Sequence, residues 1–150
     1  GDGATRKRLE KKIEILGLKN FKLIDPVSRE NLLNYYKLAD ILFLHLNDFK
    51  SFKKVLPSKI FEYAATNKPI LAGVTGYSAN FIKQNICNVF VFKPNDVKEM
   101  KSGINNLLRR TDNIDRSKFC HEFSRAIIID KMAVDILSLM LDKVYDNEIN

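Results

Sequence analysis

Residues 40–74 read DILFLHLNDFKSFKKVLPSKIFEYAATNKPILAGV and place a predicted helix between two apolar segments. The first segment, 40–46, is almost continuously apolar, which is typical of a parallel strand covered on both faces. Pro57 is well placed to open the helix, and Asn67 can adopt the left-handed conformation that ends one. Residues 69–74 form the second predicted strand. A strand, a helix and a second strand in this order predict a right-handed parallel crossover.

The same alternation continues on both sides of this stretch. No repeat or low-complexity linker interrupts it, so we predict one domain over residues 1–150 with its last helices in about 111–150. The fold class is α/β, a Rossmann-like parallel sheet with helices on both faces, whose ligands bind beyond the carboxyl ends of the strands. The flanking elements are a helix at 4–16 ended by Gly17, a strand at 20–24, helices at 28–38 and 78–84 capped by Ser28 and Ser78, a strand at 88–92, a helix at 96–109 with a capping box of Asp96 and Glu99, and a helical region from Asp115.

The composition is that of a globular domain, with 45% hydrophobic and 29% charged residues. No apolar run is long enough to span a membrane and no signal peptide is visible, which predicts a cytoplasmic location. Cys87 and Cys120 are far apart and fit a reducing compartment. His45 and His121 lie outside any cluster of acids or cysteines, so we predict neither a metal site nor a cofactor.

The basic residues are concentrated in one half of the chain. The net charge is +7, of which residues 1–75 contribute +6 and residues 76–150 contribute +1. An excess of positive charge in one half of a chain favours a polyanionic partner. Arginine, the better reader of bases, numbers only 7 against 18 lysines. The balance therefore favours a phosphorylated ligand over nucleic acid.

The loop between strand 40–46 and the helix from Pro57 holds the most chemistry. Helix N-termini favour anions, and a carboxylate accepts hydrogen bonds from vicinal hydroxyls such as those of ribose. Ser58 in the first turn and Glu62 one turn later would thus suit a nucleotide diphosphate. A solvated loop with Glu62 as a surface acid is the other interpretation, and the residues alone leave both open. Its lysines, with no acid among them, are Lys50, Lys53, Lys54 and Lys59.

Four stretches, in order over about residues 1–110, resemble motifs of the group 1 (family-4) glycosyltransferases of the GT-B fold. They are GDG at 1–3, IDPVSRENLLNYYKLAD at 24–40, VLPSKIFEYAATNKPILAGVTG at 55–76 and FKPNDVKEM at 92–100. The PSK-x-x-EY form is most similar to bacterial members that build surface polysaccharides from UDP-sugars. The resemblance covers the C-terminal, donor-binding lobe of such enzymes.

The resemblance implies a retaining, metal-independent transfer of sugar from a UDP-sugar or related donor to a saccharide or lipid-linked saccharide. It also implies peripheral contact with the inner face of the cell membrane, and no nucleic acid. Glu62 would hold the ribose as the second acid of an E-x7-E motif. Ser58 would contact the diphosphate, with Lys59 beside it. Val27 would lie in the loop that reads the base, and Gly3 in a turn near the donor.

The sequence also departs from the family pattern. Lys54 stands where the first acid of E-x7-E is expected, so either Asp48 substitutes or the sugar is held differently. Pro57 has no N–H to offer a ligand. The family's preceding strands, with a phosphate-binding Arg and Lys, and its acceptor lobe have no counterpart here. We therefore expect an N-terminally truncated lobe that is inactive alone, whose catalytic residues are unknown and whose exposed sheet edge could self-associate.

Two other classes of function remain open at this stage. A flavodoxin-like domain acting through protein partners would bind no nucleotide, and it leaves the PSK-x-x-EY stretch unexplained. A basic domain for nucleic acid or a membrane surface would bind with steep salt dependence.

Overall fold

The computed structural model describes residues 3–110 and 114–148, with side chains as far as Leu141. The chain divides into two compact units, Gly1–Leu38 and Ala39–Asn150. Helices α1 (Arg6–Ile15) and α2 (Arg29–Leu38) belong to the first unit.

The two helices of the first unit have the ends that the sequence predicts. Gly17 follows α1 with a φ of +58°, and its N–H donates to the carbonyl of Glu14 while that of Leu18 donates to Ile13. This pair of bonds is a Schellman ending, which favours glycine at the left-handed position. At the start of α2, the Ser28 hydroxyl accepts a hydrogen bond from the Asn31 N–H at 3.3 Å, as predicted for an N-cap.

The predicted strand at 20–24 is wrong, since these residues form no regular element. Phe21 is 54% exposed, and only Leu23 and Ile24 are half-buried. A short apolar run becomes a strand only where a neighbour completes the hydrogen-bond ladder. The described residues of the first unit contain two helices and no other strand to supply one.

The second unit is built on three parallel strands, β1 (Leu42–His45), β2 (Ile70–Gly73) and β3 (Val89–Phe92). They pair in the order β1-β2-β3, with β2 in the middle. All four residues of β2 are buried, which explains its continuously apolar sequence. The Rossmann-like α/β fold class is thereby confirmed.

Helices surround this sheet. Gly103 of one helix lies so close to the strands that an added Cβ would meet Leu71 Cδ1 at 2.8 Å. Leu71, Phe92 and Leu107 form the core on that side. The helices of the second unit are α3 (Lys59–Ala64), α4 (Tyr77–Asn85), α5 (Val97–Leu108), α6 (Ser117–Glu122) and α7 (Arg125–Glu148).

The sequence predicts an N-cap for α5 at Asp96 and one for α4 at Ser78, and only the first is found. At α5, Asp96 Oδ1 accepts from the Glu99 N–H at 2.8 Å, as predicted. The other half of the predicted capping box is wrong, because Glu99 Oε2 accepts from the Lys93 N–H at 2.9 Å and the Asp96 N–H donates to Lys93 O. The predicted cap by Ser78 is wrong. Gly76 is the N-cap of α4, and Ser78 is fully buried within the helix, where its hydroxyl donates to the carbonyl of Val55. The buried Ser78 hydroxyl needs a hydrogen-bond partner, and the Val55 carbonyl outside the helix supplies it.

Helix α7 is apolar on much of its exposed surface. Leu137, Leu139 and Met140 are 59%, 63% and 60% exposed. Among the residues that the structure describes, no helix combines the length and apolarity needed to cross a membrane.

Arg116 is the one charged residue in the buried core of the described chain, with 2% exposure. Its Nη1 donates to Lys68 O at 3.0 Å and its Nη2 to Cys87 O at 2.8 Å. Further bonds reach the carbonyls of Tyr63, Ala64 and Asn88 at 3.4–3.5 Å. Burial lowers the pKa of Arg116, yet a guanidinium stays charged at any pH at which proteins fold.

These carbonyls belong to three different places in the chain. Tyr63 and Ala64 end α3, Lys68 precedes β2, and Cys87 and Asn88 precede β3. A cation at the end of α3 also complements the negative end of its helix dipole. Arg116 thus joins one end of α3 to the amino ends of two strands.

We predict that Arg116→Met lowers the free energy of unfolding by about 3 kcal/mol or more, because the Ala64, Lys68 and Cys87 carbonyls lose their donor. Arg116→Lys should lose less, since an ammonium retains three donors. Urea denaturation followed by circular dichroism measures both changes. Arg109→Met, at an exposed position that follows α5, is the control and should stay within about 0.5 kcal/mol of the parent. An equal loss in Arg116→Met and the control would contradict the role of Arg116.

Candidate functional site

The candidate site lies at the carboxyl edge of the sheet, where parallel α/β folds bind ligands. The pairing continues just beyond the strands, since Leu46 N–H donates to Gly73 O at 3.0 Å and Val74 N–H to Phe92 O at 3.2 Å. The chain segments that leave this edge are those following His45, Gly73 and Phe92.

The longest of these segments contains a five-residue 3₁₀ helix, Lys50–Lys54, which we call the lysine segment. Its turn is closed by bonds from Phe52 N–H to Phe49 O at 3.0 Å and from Val55 N–H to Phe52 O at 3.3 Å. Three of its five residues are lysines. The predicted lysine-rich loop is therefore a compact turn.

Two contacts hold the lysine segment against the start of α4. Gly76 has a φ of +66°, and a Cβ there would overlap the carbonyl oxygen of Lys53. Only glycine allows the two backbones to approach so closely. The hydrogen bond that the buried Ser78 hydroxyl donates to Val55 O fixes the other end of the turn. Neither contact was predicted, although a Gly followed two residues later by Ser at a helix start is a signal visible in the sequence.

One lysine of the segment is paired with an acid. Lys53 Nζ lies 3.8 Å from Asp48 Oδ1, and both side chains are partly exposed. Asp48 is the residue suggested to replace the first acid of the family motif, and it lies two residues before Lys50. Lys50 and Lys54 are exposed. The surface formed by the segment is therefore positive.

Helix α3 begins a few residues after the lysine segment. Ile60, Tyr63 and Ala64 are buried, whereas Ser58 and Glu62 are exposed four residues apart. The inner residues hold the helix against the core, and the remaining spacing leaves Ser58 and Glu62 on the exposed side. Burial raises the pKa of Tyr63, helped by the neighbouring Glu62 charge.

The start of α3 offers fewer backbone donors than an ordinary helix. The Ile60 N–H donates to Pro57 O at 3.1 Å, and the Phe61 N–H to Ser58 O at 3.0 Å. Ser58 does not cap the helix with its hydroxyl. Because Pro57 has no N–H, an anion here would depend on the amides of Ser58 and Lys59 and on side chains.

The predicted site residues fall in both units. Lys54, Ser58, Lys59 and Glu62 come within nine residues of one another in the second unit and are all exposed. The first unit contains the other two, Gly3 and Val27, which are also exposed. Val27 lines a cavity of about 370 Å³ together with Asn31, Asn34, Tyr35 and Leu38. Gly3 lines one of about 410 Å³ with Ala4, Arg6, Lys7 and Glu10.

His45 links two of the segments at the carboxyl edge. Its Nε2 accepts a hydrogen bond from the Asn95 N–H at 3.3 Å. The ring lies 6.1 Å from that of Phe43 and 6.2 Å from that of Phe92. Asn95 adopts a left-handed φ of +68°, as a turn asparagine can. His45, which the sequence places in no cluster of acids or cysteines, thus holds the segment after β3.

Three phenylalanines from neighbouring parts of the chain, Phe81, Phe119 and Phe123, pack against Phe61 of α3. Phe61 of α3 lies 5.7 Å from Phe81 of α4 and 6.1 Å from Phe119 of α6, measured between ring centroids. Phe119 and Phe123 are 4.6 Å apart. Such aromatic contacts add to the area buried and fix α3 in place. No group of three or more potential metal-binding side chains occurs among the described residues.

A family model for glycosyl transferases group 1 matches residues 1–127. The chain belongs to this family. The predicted resemblance to group 1 glycosyltransferases is thus confirmed, and with it a sugar-transfer function. As a glycosyltransferase, the protein has a nucleotide-sugar donor and an acceptor as its general partners. Neither the curated proteins nor the solved structures contain a match to this glycosyltransferase.

We predict that Gly76→Ala loosens the lysine segment, because a Cβ overlaps Lys53 O and the left-handed φ is strained. The amides of Phe52 and Val55 should exchange hydrogen faster, at about 2–3 kcal/mol lower cost of opening. Native-state hydrogen exchange measures this.

Gly17→Ala is the matched control, since Gly17 has a similar φ of +58° but nothing within 4 Å of an added Cβ. It should leave the exchange of Phe52 and Val55 unchanged. Unchanged exchange in Gly76→Ala as well would show that this contact does not hold the segment.

Proposed function

We propose that this glycosyltransferase binds the diphosphate and ribose of a UDP-sugar between its lysine segment and the start of α3. The observation that carries the proposal is the exposed group of Lys54, Ser58, Lys59 and Glu62 at the carboxyl edge of a parallel sheet. The group 1 family match supports a nucleotide-sugar donor in general. The UDP-sugar and the residue roles are our extension of it.

The diphosphate is the first part of the proposed donor. Its negative charge would be met by the ammonium groups of Lys54 and Lys59, by the Ser58 hydroxyl and by the backbone N–H groups at the start of α3. Because the residue 60 and 61 amides already bond within the turn, side chains carry most of this recognition. Lysines on a fixed turn also cost less entropy to order than lysines on a loose loop.

The ribose is the second part. Glu62 lies one helical turn after Ser58 on the exposed side of α3, and its carboxylate can accept hydrogen bonds from both ribose hydroxyls. Charge-assisted bonds of this kind are stronger than neutral ones. The family resemblance supports the two remaining proposed roles, with Val27 in the loop that reads the base and Gly3 in a turn near the donor.

Lys54 places a positive charge where the family motif has its first acid. A carboxylate at this position would accept hydrogen bonds from the sugar, whereas an ammonium can only donate. We propose that Lys54 neutralises charge on the departing nucleotide diphosphate, which develops as the glycosidic bond to it breaks. The acceptors for the sugar hydroxyls then come from other residues, with Asp48 a candidate next to the lysine segment.

The acceptor and the pathway are also proposals. The resemblance of the PSK-x-x-EY stretch to bacterial surface-polysaccharide enzymes supports a saccharide or lipid-linked saccharide acceptor. The same resemblance supports a sugar transfer that retains the anomeric configuration, needs no metal ion and takes place in the cytoplasm. The lysines supply positive charge of the kind that a metal ion provides elsewhere.

We predict that Glu62→Gln weakens UDP binding about tenfold or more, because the amide keeps the shape but loses charge-assisted acceptance. Titration calorimetry gives the affinity, and amide chemical shifts of residues 58–62 locate the binding. Glu122→Gln on α6, another partly exposed acid, is the control and should leave the affinity unchanged.

A second titration with 2′,3′-dideoxy-UDP separates the ribose role from a general charge effect. The penalty of Glu62→Gln should disappear with this nucleotide, which lacks the hydroxyls. A penalty that persists with dideoxy-UDP rules out ribose binding by Glu62. An absence of any UDP binding in the parent would contradict the proposed donor itself.

We predict that Lys54→Glu weakens UDP binding several-fold and that the loss shrinks at high salt, because a cation near the diphosphate is replaced by an anion. Calorimetric titrations at two salt concentrations measure it. Lys83→Glu, at an exposed position in α4, applies the same change of charge elsewhere and is the control. Tighter binding in Lys54→Glu would instead mean that the family's acid still fits here.

A further inference from the structure

Helix α7 carries apolar side chains that the rest of the described chain leaves exposed. No residue of α7 whose side chain the structure describes, at positions 125–141, is buried. A surface helix normally turns its apolar side towards its own core, so exposed apolar residues along most of a helix indicate a partner. The large ones are between 37% and 64% exposed and are Ile128, Ile129, Met132, Val134, Ile136, Leu137, Leu139, Met140 and Leu141.

Four of these residues have the spacing of a helix that pairs with another helix. They lie alternately three and four positions apart, are each more than half exposed, and form what we call the α7 row: Ile129, Met132, Ile136 and Leu139. This alternation is the heptad spacing, which keeps one apolar row against a second helix over several turns. Isoleucine at the first heptad position and leucine at the fourth favour a two-stranded assembly.

The α7 row has apolar neighbours on its flanks and a polar side away from it. Helix periodicity places Ile128 and Met140 beside the row. Lys131, Asp135 and Ser138 share another side of the helix and are exposed. A second helix can therefore cover the row and its flanks while these polar side chains stay in water.

The apolar area of this face is close to what a stable dimer needs. Each of the six large side chains of the row and its flanks exposes on the order of 100 Å². Pairing the same face of two copies would cover roughly 1,200 Å² in total, the lower end of the range for specific interfaces. An interface of this size predicts association at micromolar concentrations.

We infer that α7 is a dimerisation helix, whose row packs against the row of a second copy of this chain. The second copy is the partner that the pattern favours, because a row with heptad spacing fits another row of the same spacing. A two-fold axis then closes the assembly at two chains. The inference uses no residue of the proposed donor site and does not rest on the proposed function.

The test is sedimentation velocity of the full chain at concentrations from about 2 to about 200 µM. We expect a monomer–dimer equilibrium with a dissociation constant of roughly 1–50 µM. Ile136→Glu should weaken dimerisation at least about tenfold, because it brings a carboxylate from each copy into an apolar interface. Leu139→Glu, in the same row, should give a similar loss. Ile136→Leu keeps the row apolar and should stay within about threefold of the parent.

The matched control is Val134→Glu. Val134 is 64% exposed and lies only two residues before Ile136, which places it on nearly the opposite side of α7. This variant should dimerise like the parent. The far-ultraviolet circular dichroism of all the variants should match that of the parent at about 2 µM, because the positions are exposed and glutamate is a good helix former.

Two results would overturn the inference. One is a parent chain that stays monomeric over the whole concentration range. The other is an equal loss of dimerisation in Ile136→Glu and Val134→Glu, which would show that the α7 row is not the interface.

Discussion

The guanidinium group of Arg116 determines where α3 stands on the sheet. It donates to five backbone carbonyls at the end of α3 and at the amino ends of β2 and β3. The Tyr63 and Asn88 carbonyls also accept from Thr66 and Ile70, but the Ala64, Lys68 and Cys87 carbonyls depend on the guanidinium, and a partly buried carbonyl left without a donor is costly. Arg116 fixes the end of α3, and Phe61 packs between α4 and α6. Together these contacts also fix the start of α3 at the carboxyl edge of the sheet. The proposed donor site is at that start.

The parallel sheet could be predicted because its signal is local. Strand β2 is buried at every residue, so its sequence is apolar throughout, and the turn asparagine at position 67 has the left-handed φ of +55° expected of it. The segment at 20–24 has a similar apolar character, but its described unit supplies no partner strand. A strand depends on its neighbour, and a single segment of sequence does not contain that information.

The site likewise combines features with a local signal in the sequence and features that depend on distant residues. The spacing of Ser58 and Glu62 predicts a shared exposed side of α3, because helix periodicity follows from the sequence alone. The shape of the lysine segment depends on Gly76 and Ser78, more than twenty residues downstream, and neither contact has a periodic signature. The burial of Arg116 could not be predicted either, since an arginine at the start of a helical region is usually solvated.

The Arg116 contacts also have a consequence for synthesis of the protein on the ribosome. The Tyr63 carbonyl precedes its donor by 53 residues and the Cys87 carbonyl by 29. At about 5–20 residues per second, roughly 3–10 s separate translation of Tyr63 from that of Arg116. By the end of this interval β1, α3, β2 and β3 have all been translated, but the Ala64, Lys68 and Cys87 carbonyls still lack the guanidinium donor. The second unit therefore reaches its final packing late, when α6 has left the ribosome, and chaperones would meet its sheet before then.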